Sequence, residues 1–377
     1  QMCIRDSHIY RRRNVWKIAK YGKKVYHDLK ILPFMDIANE TINYEKMKKG
    51  DYLEEKKEEK GKNVINFGVI NYKNKEYKHA SFNIGDWIQS LAALNIYRKI
   101  VEKQNNVKYE DFSKFIKHVI KNDIKGFNFL FLNRDGMDEE GQYEGQKNVI
   151  TIMNGWWMAP NDNNGYVCLD FSDNLIPIFV SFHISNMKIM SKDNIPKIKK
   201  YEPIGCRDIG TMELLRKNGV KAFFTGCLTT TIDFLEWEPI YKVIYNVDAY
   251  VDQNDVFKNG VGKNIILEEE KTTHMRTYPH IPDKESIIED VKHNVGGLKN
   301  SGPETLLKAY DFLEKYSKSQ GVVTSRLHCF LPCMAMGIPV DFVPPTPSTS
   351  NRMWQANDRR FTGLKELIDR NKLNKVR

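Results

Sequence analysis

The stretch GVVTSRLHCFLPCMAMGIPVDFV, residues 321–343, decides the fold. Gly321–Thr324 is short, apolar and β-branched, as a buried strand should be. Ser325 is expected to cap a helix over Arg326–Met336, which Gly337 ends because glycine takes a left-handed backbone without strain. Ile338–Val343 reads as the next strand. A strand, a helix and a second strand in that order make one turn of a parallel α/β layer.

The same pattern extends upstream. The helix Glu304–Ser317 leads into Gly321. Glu202–Cys206 and Val220–Phe224 read as strands around a helix over Met212–Lys217, and Val243–Val247 is a further strand candidate. Earlier still, Val64–Tyr72, Phe127–Leu132, Lys147–Met153 and Ile176–Phe182 read as strands. Asn83-Ile84-Gly85-Asp86 opens a helix that carries Trp87, Ile88, Leu91, Ala92, Leu94 and Ile96 at helical spacing. The expected fold is α/β, with two Rossmann-like domains facing a central cleft, at 64–190 and 200–345. A charged extension over 1–63 precedes them and a helical tail over 346–377 follows. The length of 377 residues agrees, since one core rarely serves more than about 250–300 residues.

Composition excludes several classes. With 41% apolar and 28% charged residues the chain is neither disordered nor fibrous. It holds no run near the roughly 18–20 apolar residues that span a bilayer, and no signal-peptide pattern, so a cytoplasmic protein is expected. The excess of 58 Lys and Arg over 48 Asp and Glu, a net charge of +10, points to an anionic partner. The basic segment over residues 10–30 suits either a solvated helix or peripheral contact with an anionic inner-membrane face. No dense basic patch interleaved with aromatics lies elsewhere, so nucleic acid is not expected.

The six cysteines, Cys3, Cys168, Cys206, Cys227, Cys329 and Cys333, contain no CxxC pair and read as reduced thiols. Cys329 and Cys333 sit four apart in an apolar helix with no second ligand cluster, so no metal is expected. Asn259-Gly260-Val261-Gly262-Lys263 lacks P-loop spacing, and no GxGxxG, GxSxG or HExxH motif occurs, so no dinucleotide cofactor is indicated.

Ligands of open parallel sheets bind beyond the carboxyl ends of strands. Three junctions there carry polar groups: Cys206-Arg207-Asp208, Thr225-Gly226-Cys227-Leu228-Thr229 and Thr324-Ser325-Arg326-Leu327-His328. They should converge, offering two guanidinium groups, hydroxyls and an imidazole to a phosphate or carboxylate. At Asn83, Gly85, Asp86 and Gln89, free amides at a helix start would attract an anion. His183 ends a strand, and Trp156-Trp157 form a turn suited either to the core or to stacking on a sugar. Each junction also has a structural reading: Arg207-Asp208 as an ion pair, His328 and His183 as core histidines.

Taken together, Asn83-Ile84-Gly85-Asp86 with Gln89, Cys206-Arg207-Asp208-x-Gly210-Thr211, Phe224–Thr229, and Val322–His328 followed by Gly337-Ile338-Pro339-Val340 resemble the polysaccharide pyruvyl transferases. The resemblance spans about residues 64–345 and implies a fold like the GT-B glycosyltransferases. It implies transfer of a pyruvyl group from phosphoenolpyruvate to a hydroxyl of a glycan or lipid-linked sugar, forming a ketal without an obligatory metal. Carried over by motif, His328 is the general acid, Leu327 shapes the donor pocket, Arg207 contacts the donor anion and His183 is a further functional histidine. Arg326 suits bidentate anion binding. Ser325, Thr225, Gly226, Thr229, Trp156 and Trp157 complete the expected substrate contacts. The helix dipole at His328 disfavours a resting imidazolium until the donor arrives. The alternatives are a GT-B glycosyltransferase using a nucleotide sugar and a non-catalytic sugar-binding or membrane-associated protein. The charged first sixty residues have no counterpart in the family core.

Overall fold

The computed structural model describes residues 64–72, 81, 83–157, 169, 171–184, 189–249, 285–295, 302–343 and 363. The chain separates into two compact units, Gln1–Lys62 and Asn63–Arg377, and the second holds every described element. The basic segment at 10–30, the charged run to residue 63, Cys3, Cys168, Asn259–Lys263 and the tail over 346–377 lie outside the described residues.

The described elements run β1 (Ile65–Asn71), α1 (Ile84–Asn105), α2 (Phe112–Lys121), β2 (Phe127–Asn133), β3 (Val149–Ile152), β4 (Trp156–Trp157), β5 (Leu175–Ile178), β6 (His183–Ile184), α3 (Asn194–Lys199), β7 (Ile204–Cys206), α4 (Ile209–Lys217), β8 (Ala222–Phe224), β9 (Val243–Val247), β10 (Ile287–Val291), α5 (Thr305–Ser317), β11 (Gly321–Thr324), α6 (Leu327–Met336) and β12 (Val340–Phe342). Every ladder between these strands is parallel. One four-stranded sheet has the order β2-β1-β3-β5, with Ile65 opposite Phe127 and Phe67 opposite Ile150. The other has the order β10-β9-β11-β12, with Ile244 opposite Gly321 and Val322 opposite Val340. The mixed α/β class and parallel sheets agree with a Rossmann-like fold.

Three differences from the expected elements have physical causes. The strand expected over Ile176–Phe182 stops at Ile178, because Ser181 takes a left-handed backbone (φ 61°). From there the chain turns to pair with the next strand: the Gly205 amide donates to the Phe179 carbonyl at 3.0 Å, and the Arg207 amide to that of Phe182 at 2.9 Å. Ser325 does not cap α6. Arg326 holds the cap position, its amide donates to Thr324 Oγ1 at 2.9 Å, and the Ser325 hydroxyl donates to the Asp248 carbonyl instead. Strand β10 and helix α2 were not anticipated. The Ile287–Val291 strand carries charges at Glu289 and Asp290, as an edge strand tolerates.

Helix α1 organises this unit. Asn83 caps it through a side-chain oxygen accepting the Gly85 amide at 3.0 Å. Fifteen of its residues are buried, on all sides of the helix, because it packs against β1, α5, α6 and the 3-10 turn Leu228–Thr231. Tyr97 pins it to the first sheet. Its ring stacks on Phe67 at 4.2 Å, its hydroxyl donates to the Gly68 carbonyl at 3.0 Å, and it accepts the Ile152 amide at 2.9 Å. Fully burying a large apolar side chain contributes about 1.5–3 kcal/mol, so this helix carries much of the core.

Candidate functional site

Asp208 stands at the carboxyl end of β7 and performs two tasks. As the cap of α4, its Oδ1 accepts the Thr211 amide at 2.7 Å, while Oδ2 lies 2.6 Å from His183 Nδ1. Thr211 Oγ1 lies 3.2 Å from the same ring nitrogen and accepts the Ile184 amide. Arg207 Nε is 3.8 Å from Asp208 Oδ2. All four side chains are buried. Burial by itself would push the Asp208 carboxyl up, but the hydrogen bond to His183, the Arg207 guanidinium and the Thr211 amide together hold it below the usual carboxylate range. Asp208 thus fixes which nitrogen of His183 faces the carboxylate, as the acid of a catalytic triad does.

The neighbouring loop, residues 225–231, is tied to the same strands. Thr225 Oγ1 donates to the Cys206 carbonyl at 2.9 Å and accepts the Ser181 amide at 3.0 Å. The Gly226 carbonyl accepts from Ser181 Oγ at 2.8 Å, and Thr229 Oγ1 lies 3.1 Å from Cys227 Sγ. Burial pushes the Cys227 thiol up, with the charge of Arg207 pulling against it. Thr225, Gly226 and Thr229 therefore hold the loop in place, and the turn that follows packs on both α1 and α6.

His328 occupies the first turn of α6, 9% exposed. Pro332, four residues on, has no amide to offer the His328 carbonyl and its ring crowds that group, which accounts for the non-helical backbone of His328 (φ −85°, ψ 17°). The start of α1 lies directly against it: a methyl group on Gly85 would sit 3.1 Å from His328 Cβ. Leu327, beside it, is buried. The start of α1 and the turn over Leu228–Thr231 thus both pack against α6, while Thr225 ties that loop to the end of β7.

Two expected contacts change in character. The first amides of α1 are not open to an anion, because Ile84 donates to the His293 carbonyl at 2.9 Å, Gly85 to Asn83 Oδ1, and Asp86 to the Asn83 carbonyl at 3.0 Å. The Asp86 carboxylate, which accepts from the Ser81 hydroxyl and from Gln89 Nε2 at 3.2 Å, further favours hydroxyl donors over anions there. The second change concerns Trp157. It is buried, edge-on to Phe171 at 6.0 Å and packed against Phe182, so its ring belongs to the core rather than to a sugar platform. The backbone of Trp156 pairs with His183, and its side chain is outside the described residues.

The two candidate cations differ. Arg207 is 2% exposed, whereas the side chain of Arg326 is 36% exposed and bonds through Nε to Asp248 Oδ2 at 2.8 Å. Sequence reasoning missed Asp248 and Asn154, and it quoted Thr211 in a motif without giving it a role. Asp248 follows the carboxyl end of β9, so the strand-end rule that marked the other junctions applied to it as well. Asn154 Nδ2 donates to the Gln89 carbonyl at 2.7 Å, and Asn154 Oδ1 and Gln89 Oε1 are buried without a hydrogen-bond partner among the described residues.

Residues 195–343 match the polysaccharide pyruvyl transferase family. The match supports the resemblance read from the motifs and takes in Arg207-Asp208, Thr225–Thr229 and Ser325–His328. A solved structure of an uncharacterized protein from Klebsiella pneumoniae is similar at 12% identity over 88% of this chain and 94% of that one, with a TM-score of 0.38. No curated protein matches. Among the described residues no helix is long and apolar enough to cross a membrane.

Proposed function

We propose that the chain transfers a pyruvyl group from phosphoenolpyruvate to two hydroxyls of a glycan, forming a cyclic ketal and releasing phosphate. The observation that carries this reading is the turn Arg326-Leu327-His328. Within the family match, a half-exposed arginine stands two residues before a histidine, and outside that match the start of α1 lies against His328. The two parallel sheets suit a GT-B-like pair of domains, which we include in the proposal.

In the proposed reaction Arg326 grips the donor's phosphate or carboxylate, since its planar fork matches either group bidentately. His328 gives a proton to the methylene carbon, so the enol double bond becomes a methyl group and C2 gains oxocarbenium character. A sugar hydroxyl at the start of α1 attacks C2 and loses its proton to the His183–Asp208 pair. Phosphate then leaves with the electrons of its bond to C2 and takes up the proton held by the His183–Asp208 pair, and a second hydroxyl closes the ketal as its own proton returns to His328. Arg207, buried behind the loop at 225–231, supplies positive charge that favours the dianionic donor and keeps Asp208 ionised.

The test is release of inorganic phosphate from phosphoenolpyruvate across a panel of glycosides and lipid-linked sugars, with the products analysed for a ketal. Acceptor-dependent release is expected. Turnover of nucleotide sugars in place of phosphoenolpyruvate would sink the proposal.

A further inference from the structure

Arg326 owes its orientation to a residue that no motif in the sequence marked. Among the described residues its guanidinium makes one hydrogen bond, Nε to Asp248 Oδ2 at 2.8 Å, and the two terminal nitrogens make none. Gripping a guanidinium by Nε alone leaves its two terminal nitrogens parallel and directed away, the arrangement that takes a carboxylate or phosphate end-on.

Asp248 is itself firmly held. Its backbone is left-handed (φ 51°), its amide donates to the Val291 carbonyl at 3.2 Å, and its carbonyl accepts the Ser325 hydroxyl. The same Oδ2 that meets Arg326 accepts the His293 amide at 3.0 Å. His293 is anchored through Nε2 to the Tyr316 hydroxyl at 2.9 Å and stacks on that ring. Its carbonyl accepts the first amide of α1, and Asn294 bridges to Asn83. One carboxylate oxygen therefore joins the cation of α6 to a short strap that also caps α1.

We infer that Asp248 is a positioning residue: it aims Arg326 at an anion held beside His328 and fixes that aim relative to the start of α1. The inference rests on the proposed donor site but concerns a residue outside it. Two roles for Asp248 predict opposite signs. A carboxylate that only neutralised Arg326 would weaken anion binding, so removing its charge would tighten it. A carboxylate that aims Arg326 does the reverse.

The experiment compares the wild-type chain with Asp248→Asn, Asp248→Ala, Arg326→Ala and the double variant Asp248→Ala/Arg326→Ala. Calorimetry measures binding of phosphoenolpyruvate and, separately, of inorganic phosphate, and melting curves confirm folding. Asp248→Asn keeps the shape of the side chain and so remains informative if Asp248→Ala does not fold. Expected is a weakening on the order of tenfold for both anions in Asp248→Asn, with KM rising and kcat changed little. No further loss is expected when Asp248→Ala is added to Arg326→Ala, because one residue acts through the other. Tighter or unchanged binding in Asp248→Asn, or full additivity in the double variant, overturns the inference while leaving pyruvyl transfer standing. Phosphate binding that depends on Asp248 without any turnover of phosphoenolpyruvate would uphold the inference and remove the proposed reaction. A wild-type chain that binds neither anion overturns both.

Discussion

Gly85→Ala tests the meeting of α1 and α6 with one methyl group. That methyl would stand 3.1 Å from His328 Cβ and equally close to Asn83 Oδ1. Carbon atoms in good contact are about 3.5–4.0 Å apart, so His328 must retreat by roughly 0.4–0.9 Å, or the start of α1 must tilt. Overpacking of this kind costs about 1–3 kcal/mol, and exchanging glycine for alanine in a helix returns roughly 0.5–1 kcal/mol. The net destabilisation is therefore about 0–2.5 kcal/mol, a fall in melting temperature of only several degrees for a unit of this size. Turnover should suffer more, because a displacement approaching 1 Å at a proton donor costs up to about 10²-fold. The assay pairs phosphate release with a melting curve, and Gly141→Ala serves as control because a methyl there meets nothing within 4 Å. Expected are wild-type behaviour in Gly141→Ala and a loss of kcat by about 10- to 100-fold in Gly85→Ala with the fold intact. Full turnover in a folded Gly85→Ala protein would refute the placement of His328 against α1.

Other perturbations probe the same contacts. His328→Gln should lower kcat by about 10²–10⁴-fold with the melting temperature nearly unchanged, and near-normal turnover with a matching acceptor would remove His328 as the acid. Asp208 has a folded carboxyl held below its unfolded value, so its contribution to stability is present above the ordinary aspartate range near about 4 and is lost as pH falls through the folded value. Asp208→Asn should accordingly flatten the acid limb of stability measured by urea unfolding below that range, and an unchanged limb would contradict the ion-pair account. Tyr97→Phe strands the Ile152 amide in the core and should cost about 1–3 kcal/mol in chemical denaturation, with no effect on KM.

Much of this arrangement was legible in the sequence because parallel strands are short, apolar and bounded by polar turns. The second half read clearly since each strand end there carries a distinct turn, from Cys206-Arg207 to Thr324-Ser325. What failed to show depended on tertiary pairing. Ser325 has the right chemistry for a helix cap, yet the carbonyl of Asp248, 77 residues away, takes its hydroxyl. The Ile176–Phe182 run looks uninterrupted, and only the pull of β7 explains the turn at Ser181. The amides that open α1 looked available to an anion until His293 claimed the first of them. Asp248 was missed for a different reason: it lies in no motif, and only its place after β9 distinguished it.

The burial of α1 on all sides has a consequence for synthesis. This helix ends at Asn105, but the partners that cover one flank, α5 and α6, end at Ser317 and Met336. Those partners leave the ribosome roughly 210 and 230 residues later, which at about 5–20 residues per second is roughly 10–50 s. For that interval the helix lacks its partners on one flank, and the growing chain must shield that flank or bind a chaperone there. A fragment ending before residue 300 should therefore engage chaperones as a stalled nascent chain, whereas the full-length chain should let go once α6 has docked.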